Sequence, residues 1–135
     1  MPISMYRNPK QPYTGIPGSN LLFDFENLVP VSWTVNQNNL VLPTPPDSGW
    51  RVNLPSGDVD LTGLDSTGIA DNTFVLLYNA SSNTLKIIHN SGSSLAGNRI
   101  LCPDFVDHDV PMFGALHLRR DGIAGFWHLV IGVKN

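Results

Sequence analysis

Apolar residues in this chain come in short runs, each broken within a few positions by Asn, Ser, Gly or Pro. Thr73-Phe-Val-Leu-Leu-Tyr78 mixes β-branched, aromatic and aliphatic side chains, which suits a pleated strand better than one face of a helix. Small turn-formers follow from Asn79 to Asn83, and Thr84-Leu-Lys-Ile-Ile-His89 resumes the apolar run. This order predicts a hairpin with a loop of about five residues. A second hairpin is predicted where Gly114-Ala-Leu-His-Leu-Arg119 meets Gly125-Phe-Trp-His-Leu-Val-Ile-Gly-Val133 across Asp121-Gly122. Before these, short strands are expected at Leu21–Phe25, Val31–Val35, Asn39–Leu42, Trp50–Leu54 and Val59–Leu61, the turns between them carrying Asn36-Gln-Asn-Asn39 and Ser56-Gly57. Gly63 to Asp71 reads as a loop or single helical turn capped by Asp65 or Ser66, and Ser91 to Asn98 as a small-residue loop. Arg99–Cys102 is a short strand, after which Pro103 to Pro111 interrupts the sheet. About nine or ten strands without an amphipathic helix or a fixed repeat predict an all-β fold, a single-domain β-sandwich of jelly-roll-like form.

Residues 1–20 break this pattern. Pro2, Pro9, Pro12 and Pro17, with Gly15 and Gly18, deny the segment a continuous helix or central strand. It reads as an extended arm preceding a β-domain over residues 21–135, with Ile3, Met5, Tyr6, Tyr13 and Ile16 as apolar anchors for a partner. Within the domain, Phe74–Leu77 and Trp127–Val133 are nearly apolar on both alternating sets. An outer sheet face is normally polar, so this pattern predicts a second covered face and a homo-oligomer, dimer or trimer.

Composition narrows the partners. Charged residues are only 14% of the 135, and the net charge is -3 with the eight Lys and Arg scattered, which argues against a nucleic-acid footprint. A single cysteine, Cys102, excludes an internal disulfide. No run approaches the ~20 apolar residues of a membrane-spanning helix and no signal peptide opens the chain, so synthesis in the cytoplasm and no membrane partner are expected.

Several groupings invite chemistry. Cys102 with His89 or His108 suggests a thiolate nucleophile, although a Cys ending an apolar strand is more commonly a small buried hydrophobe. Asp104, Asp107, His108 and Asp109 would offer oxygen and imidazole ligands to a cation, but their spacing fits neither an EF-hand nor a zinc pattern, and a solvated loop is the simpler reading. His117 and His128 lie on the facing strands of the last hairpin as possible cross-strand neighbours. Trp33, Trp50 and Trp127 would form a sugar-stacking platform if exposed; Trp127 reads as core, and Trp50, between Gly49 and Arg51, as the exposed or interfacial ring. Arg119-Arg120 reads as a solvated strand end or a bridge to Asp121. No P-loop, dinucleotide-binding glycine pattern, nucleophile elbow or His-Glu-x-x-His occurs. No catalytic residue, cofactor or metal ligand is therefore assigned.

The order of Tyr78-Asn79, a Ser/Asn turn, Asn83-Thr-Leu-Lys-Ile-Ile-His89, Ser91-Gly-Ser-Ser-Leu-Ala-Gly-Asn-Arg-Ile-Leu-Cys-Pro103, Arg119-Arg-Asp-Gly122 and Phe126-Trp127 resembles a small β-domain of tailed-phage virion proteins. The likeness spans roughly Asp58 to Val133 and is most specific at Ser91–Pro103, Asp121-Gly122 and Trp127. Such domains occur in tail fibres, baseplate parts and head accessory proteins, so the resemblance implies a fold and a virion location and no catalytic chemistry. It points to a non-enzymatic head decoration or cement protein, binding the major capsid protein or other virion proteins through the arm, Trp50 and the apolar outer strand faces. The alternative is a tail-fibre or receptor-binding adhesion module for cell-surface glycan. A cupin-like hydrolase would need a His/Glu metal cluster, and Glu26 is the only glutamate.

Overall fold

The computed structural model describes residues 28–42 and 49–130. The described chain is all-β, with nine strands in two sheets. Six strands form the larger sheet: β1 (Val29–Ser32), β2 (Gly49–Asn53), β4 (Phe74–Asn79), β8 (Ala115–Asp121), β9 (Phe126–Val130) and β6 (Ile100–Leu101), in that spatial order. The smaller sheet holds β3 (Val59–Leu61), β5 (Leu85–Ile87) and β7 (His108–Val110). The predicted strand Leu21–Phe25 and the arm at residues 1–20, with Ile3, Met5, Tyr6, Tyr13 and Ile16, lie outside the described residues.

The period-two pattern explains how the sheets meet. On β8 every second residue from Leu116 to Arg120 is buried, and on β9 Trp127 and Leu129 alternate with half-buried Phe126, His128 and Val130. The inward rows of β2, β4, β8, β9 and β6 join Val59, Leu61, Leu85, Ile87 and Val110 of the smaller sheet in a single apolar cluster. Trp127 is fully buried in it, its indole Nε1 donating to Leu64 O at 3.1 Å, so the ring contributes its area without stranding its polar atom.

The last hairpin forms as the Asp121-Gly122 signal predicts. β8 and β9 pair antiparallel, with Leu118 opposite Leu129 and Arg120 opposite Trp127. Asp121 Oδ1 accepts from Ile123 N and Ala124 N, and Gly125 takes φ +88°, a value costly for a residue with a Cβ. Gly49–Asn53, Val59–Leu61 and Ile100–Leu101 are strands close to their predicted places, and the loop after Gly63 has Asp65 Oδ1 accepting from Thr67 N at 3.0 Å.

The first predicted hairpin does not form. β4 pairs parallel with β2 and antiparallel with β8, whereas β5 pairs parallel with β3 and antiparallel with β7 in the other sheet. The Asn79–Asn83 turn is thus a crossing between sheets. Asn79, completely buried, makes the crossing: its Nδ2 donates to Asn83 O and to Val110 O, both at 2.8 Å, and its Oδ1 accepts from Ser81 N at 2.9 Å. These bonds hold the chain to the smaller sheet where a hairpin would turn it back along β4. Two smaller expectations also fail. Pro103–Pro111 contains β7 in place of a plain interruption, and Asn39–Leu42 makes only an isolated bridge, Leu40 to Leu64. Parallel pairs also join β1 to β2 and β6 to β9.

The Ser91–Asn98 loop is tied down by polar groups. Thr62 Oγ1 and Ser94 Oγ share a buried 2.7 Å bond, Asn39 Oδ1 accepts from Leu95 N and Asn98 Nδ2, and Asn98 Oδ1 accepts from Ser66 N and Ser66 Oγ. Burying such groups is tolerable because each finds a partner.

Candidate functional site

The groupings that suggested chemistry are engaged in other contacts or set apart in three dimensions. Cys102 is buried, its Sγ lies 3.9 Å from Ile87 O, and burial, seconded by the charge of Asp107, pushes its thiol up to about 11. His89 is close, but its Nδ1 accepts from the Cys102 backbone N at 3.0 Å. The imidazole orders the strand end, and the sulfur stays a protonated thiol at neutral pH.

The acidic loop is also spoken for in part. Asp107 Oδ1 accepts from His89 N at 2.8 Å, and Asp109 stands opposite Lys86 in the β5–β7 register. Among the described residues no three His, Cys, Asp or Glu side chains converge as a group able to hold a metal.

His117 and His128 are not opposite one another. The register sets His117 against Val130 and His128 against Arg119. His117 meets the edge of the Phe74 ring at 5.9 Å, and burial lowers its pKa. His128 Nε2 lies 3.0 Å from Asp121 Oδ2, with Arg119 Nη2 at 3.7 Å from the same oxygen. The Asp121 carboxyl is held below its usual range chiefly by the Ala124 N–H and then by His128. Arg120 departs from the solvated reading: it is buried, its Nη1 donates to Gly97 O at 2.6 Å and its guanidinium lies 5.9 Å from the Trp127 ring centre. Its Nε finds no partner among the described residues.

The tryptophan platform is corrected in the same way. Trp50 is 3% exposed and Trp33 6%, their rings packed edge to face at 5.8 Å between centres, and Trp127 is buried. Trp50 belongs to the core and presents no free ring. The signal was in the sequence: Trp50, Val52 and Leu54 alternate with Arg51 and Asn53, which is the inward row of a strand.

What the surface does offer was not singled out from sequence. β7 ends the smaller sheet, and among the described residues no strand pairs with its outer edge. The opposite edge is covered, since Gln37 bridges to Leu61 of β3. Ahead of β7, across Asp107, stand Phe105, 78% exposed, and Val106; beyond it, across Pro111, stand Met112 and Phe113, 65% exposed. Phe105 and Phe113 take φ +59° and +65°, a conformation in which a bulky residue is strained. Asp104, at φ +60°, and Asp107 and Asp109 are exposed among them. The Phe105 ring meets His89 edge to face at 5.6 Å and still leaves most of its surface in water. Two strained, exposed aromatic residues at the ends of an edge unpaired among the described residues have the features of a contact surface. The available signal was the pair of aromatics within a run of Pro and Asp, Pro103-Asp-Phe-Val-Asp-His-Asp-Val-Pro-Met-Phe113.

No family model matches the chain, and no curated protein and no solved structure matches it either.

Proposed function

We propose that this chain is a non-enzymatic structural protein of a tailed-phage virion, acting as a capsid decoration or cement protein that joins neighbouring shell subunits. On this reading the two sheets around one core are a sandwich-like knob related to the jelly roll, and the knob is a rigid carrier for contact surfaces. The observation that carries the reading is the β7 edge, left unpaired among the described residues and bracketed by Phe105, Val106, Met112 and Phe113. Exposed apolar side chains grouped around an unpaired strand edge favour pairing with another chain. The low charge content, 14%, and the resemblance at Ser91–Pro103 and Asp121-Gly122 support the same role. A cement protein works by burying apolar area across joints, where about 25 cal/mol per Å² gives a few kcal/mol per copy. Repeated over a shell, that term opposes the outward push of packed DNA.

The adhesion-module alternative drew on Trp rings and Asn/Asp loops; Asp104, Asp107 and Asp109 are exposed, but all three tryptophans are buried, which leaves it the weaker reading. Co-sedimentation with DNA-free shells of the phage that encodes the chain tests the proposal. Stoichiometric binding and a higher temperature of shell rupture are expected. Absence of both, with retention of the protein on host cell-surface glycan, would transfer the assignment to the adhesion module.

A further inference from the structure

We infer that the β7 edge receives Ile3–Asn8 of a second copy as an added strand, so that copies join arm to edge. The edge disfavours a second copy of itself. Two β7 strands laid edge to edge would bring Asp107 and Asp109 of both copies together, and like charges directly opposite are destabilising. A symmetric β7–β7 joint is thus disfavoured, and the edge calls for a strand that is apolar and basic.

Residues 1–20 have that character. They carry Arg7 and Lys10 and no acidic residue, whereas residues 104–113 carry Asp104, Asp107 and Asp109 and no Lys or Arg. Among the described residues the arginines have other engagements: Arg99 Nε donates to Ser94 O, Arg51 lies over the Tyr78 ring, Arg119 donates to Asn72 Oδ1, and Arg120 is buried. Lys86 sits beside the edge on β5 and offsets part of its negative charge. Within residues 1–20 the longest proline-free stretch is Ile3-Ser-Met-Tyr-Arg-Asn8, between Pro2 and Pro9, six residues against the three of β7, and unlike Tyr13-Thr-Gly-Ile16 it carries a basic residue. As an added strand it would set Ile3, Met5 and Arg7 on one face and Tyr6 on the other. Met5 or Tyr6 would then reach the exposed rings at the strand ends, and Arg7 would meet Asp109 or Asp107. The joint uses two different surfaces of one chain, so it is heterologous and closes into a ring where the rotation allows.

This inference names the joint for the self-assembly expected of the proposed shell protein, and its test is separable from shell binding. The full chain is compared by sedimentation equilibrium with the R7E, D109K and F113N variants and with an equimolar mixture of R7E and D109K. The wild type is expected to self-associate in a concentration- and salt-dependent manner. Each charge variant is expected to weaken that association at least about tenfold. In the mixture, the reversed arm fits the reversed edge and the native arm fits the native edge, so association returns. F113N is expected to fold with unchanged or higher thermal stability, because Asn accepts a left-handed φ readily, and yet to associate poorly. Unaltered association by the variants, a wild-type monomer at every concentration, or a mixture no better than its components would each overturn the arm-to-edge joint. Shell co-sedimentation by a monomer would leave the cement reading standing and remove this joint alone.

Discussion

Asn79 shows how much one side chain decides here. Its amide sits where β4 leaves the larger sheet, and it bonds two carbonyls and one N–H at that crossing. Asn79→Ala removes all three bonds and leaves a void, so we expect a loss of about 3 kcal/mol in urea unfolding, since each stranded buried group costs roughly 1–3 kcal/mol. Asn79→Asp keeps the shape but cannot donate and buries a charge, and should be no milder. His117 makes a different prediction. Burial holds its pKa below the ordinary 6.5, so in acid the unfolded chain takes up a proton before the folded one does. Stability attributable to this ring is intact above pH 6.5 and falls as the pH drops through the folded value. Unfolding free energies measured across that window should flatten in His117→Gln, and an NMR titration showing the ring protonating at or above 6.5 would refute the burial effect.

At the level of elements, local patterns were legible and distant pairings were not. The β8–β9 hairpin could be read because its signals, Asp121-Gly122 and the alternation on either side, lie within one stretch of chain. The Asn79–Asn83 turn carries the same kind of local signal, but its outcome depends on Val110, far along the sequence, to which Asn79 bonds. Parallel neighbours such as β2 and β4 are joined by long connections, so no turn announces them. β7 escaped notice because three residues rich in charge and flanked by proline do not read as a strand, although they complete the smaller sheet. The contact surface was hidden for the same reason: exposure of Phe105 and Phe113 is a property of where β7 sits. The loop from Ser91 to Asn98 yields an element-scale prediction. A Cβ on Gly63 would lie 2.5 Å from Ser94 Oγ and 2.6 Å from Asn98 O, the second a backbone atom that cannot turn aside. Gly63→Ala should therefore detach this loop from the Asn39 and Thr62 anchors, costing about 2–4 kcal/mol. Hydrogen exchange would show it as selective loss of protection at Leu64 and Leu95, whose amides bond to Asn98 O and Asn39 Oδ1.

Among the described residues both sheets contribute to one apolar cluster, and this makes unfolding predictable from a single thiol. Cys102 lies in that cluster with Trp33, Trp50 and Trp127. No subset of strands keeps its own core, so loss of either sheet exposes the inner face of the other and the transition should be two-state. The Cys102 thiol, pushed up to about 11 by burial, should react with a thiol reagent at pH 8 far more slowly than an unfolded chain. Because its folded value lies above the ordinary 9.0, the group favours the native state below pH 9 and that contribution is lost as the pH rises through the folded value. In a urea series, thiol labelling and tryptophan fluorescence should share one midpoint, since both report the same cluster. A thiol that becomes reactive at lower urea than the fluorescence change would show the β6 end of the sheet opening by itself. The knob would then not be the rigid carrier that a cement role and an arm-to-edge joint both require.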